Sequence, residues 1–337
     1  MSGGSLKIAA PGPMLSVQDL GRPGLAAQGL SRGGALDPLA LWEAAALLGM
    51  SRPAAGIEMP GMGGRFSVSA RMRIALTGAP MRASIDGRPV PWHAVHALSP
   101  GEVLSIGGAT SGTTGYLTPG GGIASDPVLG SRATHLAAGI GAPLQDGDVL
   151  PTGQDSDAAA PPSVLRVDDR FEGGPVRILP GPQTALFSED QIRAFEAASF
   201  TRGARSNRQA IQMQTEAEPI WHRAAGGMAS EPIQVGDIQI TGDGTPFVLG
   251  AECQTIGGYP RIGSIHPEDL PRLVQAGPRA RLSFRFAAPS PLPDGPERLR
   301  ALRRALTPLL RDPATIPDLL SYQLISGVTA GDELERD

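Results

Sequence analysis

The sequence predicts a mainly β protein: two tandem β-rich barrels with peripheral helices and a helical C-terminal tail. Three observations carry that expectation. Glycine (45 residues) and proline (33) fill close to a quarter of the 337-residue chain without a Gly-X-Y period. Such punctuation disfavours helix bundles and coiled coils and favours short strands joined by turns. Segments such as Arg71–Leu76 and Asp237–Ile240 alternate polar and apolar residues, as half-buried strands do. Finally, the second half of the chain repeats features of the first in the same order, the sequence mark of a duplicated unit.

The repeats define the elements. Leu6-Lys7-Ile8 leads into Pro11-Gly12-Pro13, and Val176-Arg177-Ile178 into Pro180-Gly181-Pro182. Ile57-Glu58 is echoed by Ser230-Glu231-Pro232-Ile233, and Ala75–Ala79 by Val248–Ala251. Pro100-Gly101 with Val103–Ile106 is echoed by Gly277-Pro278 with Ala280–Phe284. Asp37 can cap a helix that opens on Pro38 and stops at Gly49. Asp86-Gly87 and Asp243-Gly244 are hairpin-type turns. The run Thr152–Pro162 has linker composition. Ser188–Gln191 reads as a capping box opening a helix over Ile192–Ala198, and Pro267–Ala276 as a further helix weakened by Pro271. The tail Pro296–Val328 is leucine-rich and helical, suited to packing or to contact with another chain. The expected division is therefore a first unit over 1–151, a linker over 152–163, a second unit over 164–290 and a tail over 291–337.

Composition narrows the function. A net charge of −4 offers no nucleic-acid surface and no polybasic membrane anchor. No run approaches the roughly 20 apolar residues of a membrane span, and Met1–Lys7 lacks the regions of a signal peptide. A cytoplasmic protein is the expectation. Lys7 is the sole lysine, so no Gly-Lys-Ser/Thr phosphate loop exists. The single Cys253 excludes a disulfide framework and a cysteine-based zinc site, and reads better as a buried small hydrophobe than as a nucleophile. His93 and His96, three apart in an expected strand, point to opposite faces, and no metal is predicted.

Three glycine-rich polar clusters remain: Ser16–Gly24 continuing through Gly29–Asp37, Leu129–Thr134, and Glu252–Arg261. Glycines let backbone approach a ligand closely, while Arg, Gln, Thr and Asp supply oriented donors and acceptors. This is the profile of a site for a polar small molecule. Asp19, Arg22 and Asp37 also have structural readings as turn, ion-pair and capping residues, and for Asp37 the cap is favoured.

These clusters resemble the motifs of the biotin-dependent carboxyltransferase family. That family includes the C-type subunit of 5-oxoprolinase, allophanate-hydrolase-subunit-2-like proteins and a domain of urea carboxylase. Val17–Gly24 with Gly33–Asp37 resembles its opening signature; Tyr116-Leu117, Gly121–Ile123, Leu129–Arg132 and Gly147-Asp148 continue it. Ser206–Arg208, Ser230–Pro232, Gly236–Gln239 and Gln254–Pro260 resemble its later motifs. The resemblance covers roughly residues 6 to 286 and implies two cyclophilin-like barrels. It also implies two partners, an allophanate-hydrolase-subunit-1-like protein (the B-type subunit of 5-oxoprolinase) and a third 5-oxoprolinase subunit. Together these open 5-oxoproline to glutamate with ATP.

Both family reactions act on a resonance-stabilised amide and develop oxyanion charge that needs oriented donors. On that footing the candidate catalytic residues are Asp37, Glu231 and Arg208. The candidate substrate-binding residues are Asp19, Arg22, Arg132, Gln254, Thr255 and Tyr259. ATP is expected to act through the complex. Two alternatives stand beside this reading: carboxyl transfer to urea or a related amide, with biotin arriving on another chain, and a non-catalytic regulatory protein, since members also antagonise a histidine-kinase inhibitor. The chain departs from the family pattern at Gln209–Gln212, at Glu252 where aspartate is usual, and at Arg261 where lysine is usual.

Overall fold

The computed structural model describes residues 3–167, 169–219, 221 and 229–309. The chain folds into two successive β units, each around its own apolar core.

The first unit is built from two sheets. One has six strands in the order Val149–Pro151, Ser5–Pro11, Gly64–Val68, Leu104–Ala109, Met81–Ile85, Arg88–Pro89. The other has seven, in the order Ser16–Gln18, Gly56–Pro60, Thr114–Pro119, Met72–Gly78, Ala94–Leu98, Ser163–Leu165, Leu306–Pro308. Leu6, Ile8, Phe66 and Leu104 of the first sheet meet Ile57, Ile74, Leu76 and Leu117 of the second in one fully buried cluster.

The second unit, among the described residues, is a seven-stranded sheet, Thr201–Arg202, Ala210–Gln214, Pro246–Leu249, Asp237–Ile240, Arg261–Ile265, Gly173–Leu179, Arg281–Phe286, with a small two-stranded ribbon of Glu231–Pro232 and Ile256–Gly257 beside it. Phe200, just ahead of the first strand, exchanges two backbone hydrogen bonds of 2.8 Å with Leu282 of the last. The sheet therefore closes on itself as a barrel. Its lumen is filled by aromatic rings. Phe195 stacks on Phe284 at 5.3 Å between centroids and meets Trp221 edge-on at 5.5 Å, geometries that suit the ring quadrupole.

Among the described residues, four α-helices flank the units: α1 (Pro38–Leu47), α2 (Glu189–Ala197), α3 (Leu270–Gln275) and α4 (Gly295–Arg304). The Asp37 cap and the Ser188–Gln191 capping box form as expected. α1 is apolar except for the buried Glu43, and most of it is buried: Ala44, Leu47 and Leu48 pack on Ala75 and Val95 of the first unit, and Ala45 and Ala46 pack on Leu299 of α4, while Leu39 and Trp42 stay partly exposed.

Four expectations need correction. The strands Met72–Gly78 and Asp237–Ile240 are buried on both faces, not half-buried. α1 and the Arg73–Asp155 ion pair cover the polar face of the first, and the Ile256–Gly258 turn covers Gln239 in the second. The tail is not one helix. α4 ends at Arg304, and Leu306–Pro308 then joins the first unit's sheet by pairing with Ser163–Leu165; residues 310–328 of the expected tail lie outside the described residues. His93 lies before the Ala94–Leu98 strand at φ 52°, so only His96 is a strand residue. The echoed segments fall on strands in both units, but their neighbours differ. Leu104–Ala109 lies between Gly64–Val68 and Met81–Ile85, whereas Arg281–Phe286 runs parallel to Gly173–Leu179.

Candidate functional site

The first polar cluster is held by backbone laid directly on backbone. Arg22 N–H donates to Arg32 O at 2.8 Å, and Ala35 N–H to Asp19 O at 2.9 Å. Only glycine permits this. A Cβ on Gly21 (φ 78°) would sit 2.5 Å from Arg32 O, and one on Gly34 (φ 84°) 2.6 Å from Gly21 N. Gly33 N–H then donates to Ala251 O of the second unit at 2.9 Å, so this turn is one of the places where the units touch. Asp19 gathers the second cluster to it, accepting from Gly21 N (2.8 Å), Ser131 Oγ (2.6 Å) and Arg132 N (2.7 Å).

Arg208 lies at the centre of the junction. Its guanidinium donates to Glu58 of the first unit, to Glu252 of its own unit, and to Gly34 O at 2.6 Å. Both carboxylates are buried. Burial alone would lower the Arg208 pKa, but Glu58 and Glu252 together raise it. Glu58 also accepts from Tyr116 Oη (2.7 Å) and Leu36 N (2.8 Å), and Tyr116 Oη accepts from Asp37 N at 2.9 Å. Burial, with Glu58 and Asp37 beside it, pushes the Tyr116 phenol well above its ordinary pKa, so it stays a donor.

On the far side, Glu252 accepts from Ala137 N at 2.9 Å and faces His135 Nδ1 at 3.8 Å. His135 Nδ1 itself accepts from Ala138 N at 3.2 Å, which leaves the proton on Nε2, 3.0 Å from Ser31 Oγ. Burial, then Arg22 and Arg208, keep His135 neutral against the pull of Glu252. The contact is therefore not an ion pair. Arg22 is 1% exposed; its Nη2 donates to Ala133 O at 2.5 Å, while Nη1 has no partner among the described residues. Burial lowers its pKa. A buried guanidinium nitrogen with an unpaired donor is an exception to the rule that buried polar groups are hydrogen-bonded.

Asp37 is differently placed. Its carboxylate accepts from Ala40 N (3.3 Å), Arg170 Nε (3.0 Å) and Gln275 Nε2 (2.8 Å), and Arg170 also forks onto Glu43 at 2.7 and 2.9 Å. Gln275, delivered by α3, further bonds Thr113 N, Thr114 N and Thr114 O across the junction at 2.9 to 3.1 Å. Asp37 is thus a cap and a structural hub. Glu231 stands apart from both groups. It is half-exposed and accepts from Gln183 Nε2 (2.6 Å) and Arg261 (3.0 Å), on a strand that pairs with Ile256–Gly257. Gln254 and Tyr259 are exposed on that same loop, with Thr255 partly buried and its carbonyl accepting from Ile233 N at 3.0 Å. Arg132 is exposed, its Nε bonded to Ser125 O at 2.7 Å. Burial, with Asp237 nearby, pushes the Cys253 thiol up to about 11, too high for a nucleophile at neutral pH. Among the described residues no cluster suits a metal ion.

The structure thus brings Arg22 and Arg208 together, ties Asp19 and Arg132 to their rim, and sets Glu231 beside the Gln254–Tyr259 loop. Sequence reasoning missed His135, Arg170 and Gln275, and gave no role to Tyr116 or Glu58. The one available signal was Glu58, an acid inside an apolar strand run and echoed by Glu231. Beside the junction, between the units, lies a cleft of about 440 Å³ with Gly33 and Ala251 among its lining residues.

Fold and site together place the chain by comparison. Residues 28–286 match the carboxyltransferase domain, subdomain A and B, and the chain belongs to that family. It is 33% identical to the C-type subunit of 5-oxoprolinase from Escherichia coli and 31% identical to that of Haemophilus influenzae, each over 277 residues covering 80% of this chain and 87% of the relative. It is 25% identical to the urea amidolyase of Saccharomyces cerevisiae over 303 residues, which is 83% of this chain but 16% of that protein. The crystal structure of TTHA0988 superposes with a TM-score of 0.75 at 30% identity, over 84% of this chain; the match spans 56% of that longer chain.

Proposed function

We propose that this chain is a subunit of an ATP-dependent 5-oxoprolinase complex that opens 5-oxo-L-proline to L-glutamate. The observation that carries this reading is the likeness to the Escherichia coli 5-oxoprolinase C-type subunit, which runs through 87% of that protein. The complex would pair the chain with an allophanate-hydrolase-subunit-1-like partner and a third subunit, in the cytoplasm, with ATP supplying the activation of the lactam oxygen. Residues 1–151 and 164–290 would form the two units, with 152–163 between them and 291–337 as the tail.

The junction supports the chemistry. A lactam carbonyl under attack gathers negative charge on oxygen, and preorganised donors in a water-poor setting stabilise it best. Arg22 Nη1 is such a donor, and Arg208 is fixed beside it by two carboxylates. Asp19 and Arg132 would shape the rim; Gln254, Thr255 and Tyr259 would close over the substrate, with Glu231 as a base at the loop's edge. The test is co-purification with the partner subunits and measurement of glutamate released from 5-oxoproline. Release that requires ATP supports the reading; ATP hydrolysis that leaves 5-oxoproline intact overturns it. A second reading, carboxyl transfer to urea with biotin on another chain, draws on the likeness to urea amidolyase and predicts instead a biotin-dependent product.

A further inference from the structure

We propose that the cleft between the units is the binding site for a small cyclic amide bearing a carboxylate, with Arg32 taking the carboxylate and the C-terminal strap setting the size of ligand admitted. This deepens the 5-oxoprolinase reading and rests on it for the name of the ligand.

The cleft, about 440 Å³, has apolar walls: Leu36, Leu39 and Trp42 from the first unit face Ile265 and Val274 from the second. A small ring fits such walls, and its polar atoms then need specific partners. Arg32 stands at the edge of the same cleft. It is exposed; its Nε donates to Leu20 O at 2.7 Å, which orients the guanidinium, and its two Nη groups have no partner among the described residues. A planar guanidinium oriented through Nε, with both Nη groups open, suits a carboxylate. Gly33, the next residue, lines the cleft while its α-carbon backs onto Arg22: a Cβ there would stand 3.5 Å from Nη1 and 2.9 Å from the His135 ring. One end of the cleft thus offers a carboxylate anchor, and its floor lies against the donors of the junction.

The third wall comes from the strap, residues 287–309, beyond the segment that matches the family. Leu292 and Arg298 line the cleft, and Arg298 is latched to Glu268 at 2.5 Å. Ser290 is held by His266 Nε2 at 2.9 Å. Gly295 lies flat on Trp42, where a Cβ would be 2.7 Å from the indole. The strap then docks α4 on α1 and adds Leu306–Pro308 to the first unit's sheet. It therefore spans the cleft from one unit to the other and limits how far they can part.

The experiment is equilibrium dialysis of 5-oxoproline, and of 2-pyrrolidinone, which lacks the carboxylate, against the full chain co-purified with its partners and without ATP. We expect saturable binding of 5-oxoproline and at least tenfold weaker binding of 2-pyrrolidinone. Arg32→Ala should bring 5-oxoproline down to the level of 2-pyrrolidinone, and Leu292→Trp, at a half-exposed position that tolerates bulk, should weaken both at least tenfold. Arg52→Ala, exposed and away from the cleft, should bind as wild type. Wild-type binding by Arg32→Ala, or no binding of 5-oxoproline at all, overturns the inference. Glutamate release in the presence of ATP reads the proposed function separately: turnover with an unchanged KM in both cleft variants sinks the cleft assignment alone, while cleft binding without turnover sinks the function alone.

Discussion

Arg208 of the second unit is ion-paired with Glu58 of the first, 150 residues earlier in the chain, where both side chains are withdrawn from solvent. The same guanidinium holds Glu252, so one cation neutralises two buried carboxylates. Removing one member of a buried pair leaves an uncompensated charge at a cost of about 3–5 kcal/mol. Arg208→Ala should therefore destabilise the protein by about that amount in urea unfolding, and Arg208→Lys, which keeps the charge but loses the fork, by less. Wild-type stability in Arg208→Ala would show that water reaches the junction and that the cluster is not closed.

Acid sensitivity should come partly from His93. Burial, with Arg170 beside it, lowers its pKa to about 4 from 6.5, and its Nε2 lies 2.8 Å from Gly78 O. The unfolded chain takes up this proton near pH 6.5 while the folded chain refuses it until about pH 4. Stability tied to His93 is thus complete above pH 6.5 and lost as the pH falls toward 4, by about 3 kcal/mol. His96, lowered mainly by burial, acts in the same direction. His93→Gln keeps a donor for Gly78 and should flatten the fall in unfolding free energy between pH 6.5 and 4. An unchanged slope would assign the acid loss to other groups.

The parts of the fold that local chemistry dictates were legible in the chain. Asp37-Pro38 and Ser188–Gln191 announce helix starts because capping is decided within four residues. The double-unit architecture showed through its echoes, although strand neighbours did not, since pairing partners come from residues far apart in sequence. The tail misled because Leu299 and Leu302 look the same whether a helix continues or yields to a strand; docking on α1 and the free edge at Ser163–Leu165 decide it. In the site, a glycine-rich cluster pointed to Arg22 and the family-like motifs to Arg208; Tyr116 stood in such a motif without a role, and nothing pointed to His135 or Gln275. His135 and Gln275 meet Glu252 and Asp37 only when the two units come together.

Gly34 should tolerate no side chain. At φ 84° its Cβ would press on Gly21 N at 2.6 Å and Asp19 O at 2.8 Å, both backbone atoms unable to swing aside. Gly34→Ala should cost about 1–3 kcal/mol through backbone strain and should also disturb Arg208, which donates to Gly34 O. Gly24, whose Cβ would meet nothing within 4 Å, has a similar φ of 87° and serves as the comparison. Both substitutions carry the strain of a positive φ, but only Gly34→Ala adds a collision, so it should lower Tm further than Gly24→Ala. Equal losses would mean that the two backbone segments part easily.

Arg22 and Gln254 separate structural from catalytic loss. Arg22 is buried and bonded to Ala133 O, so Arg22→Ala should lower both glutamate release and Tm. Gln254 is exposed, and no hydrogen bond of its side chain to the described residues holds the loop. Gln254→Ala should leave unfolding free energy within about 0.5 kcal/mol of wild type, as exposed substitutions do. If the loop over Gln254–Tyr259 closes on substrate, the same variant should still cut turnover of the assembled complex at least tenfold. Full activity in Gln254→Ala would remove this loop from the site and leave the junction around Arg22 and Arg208 to act without it.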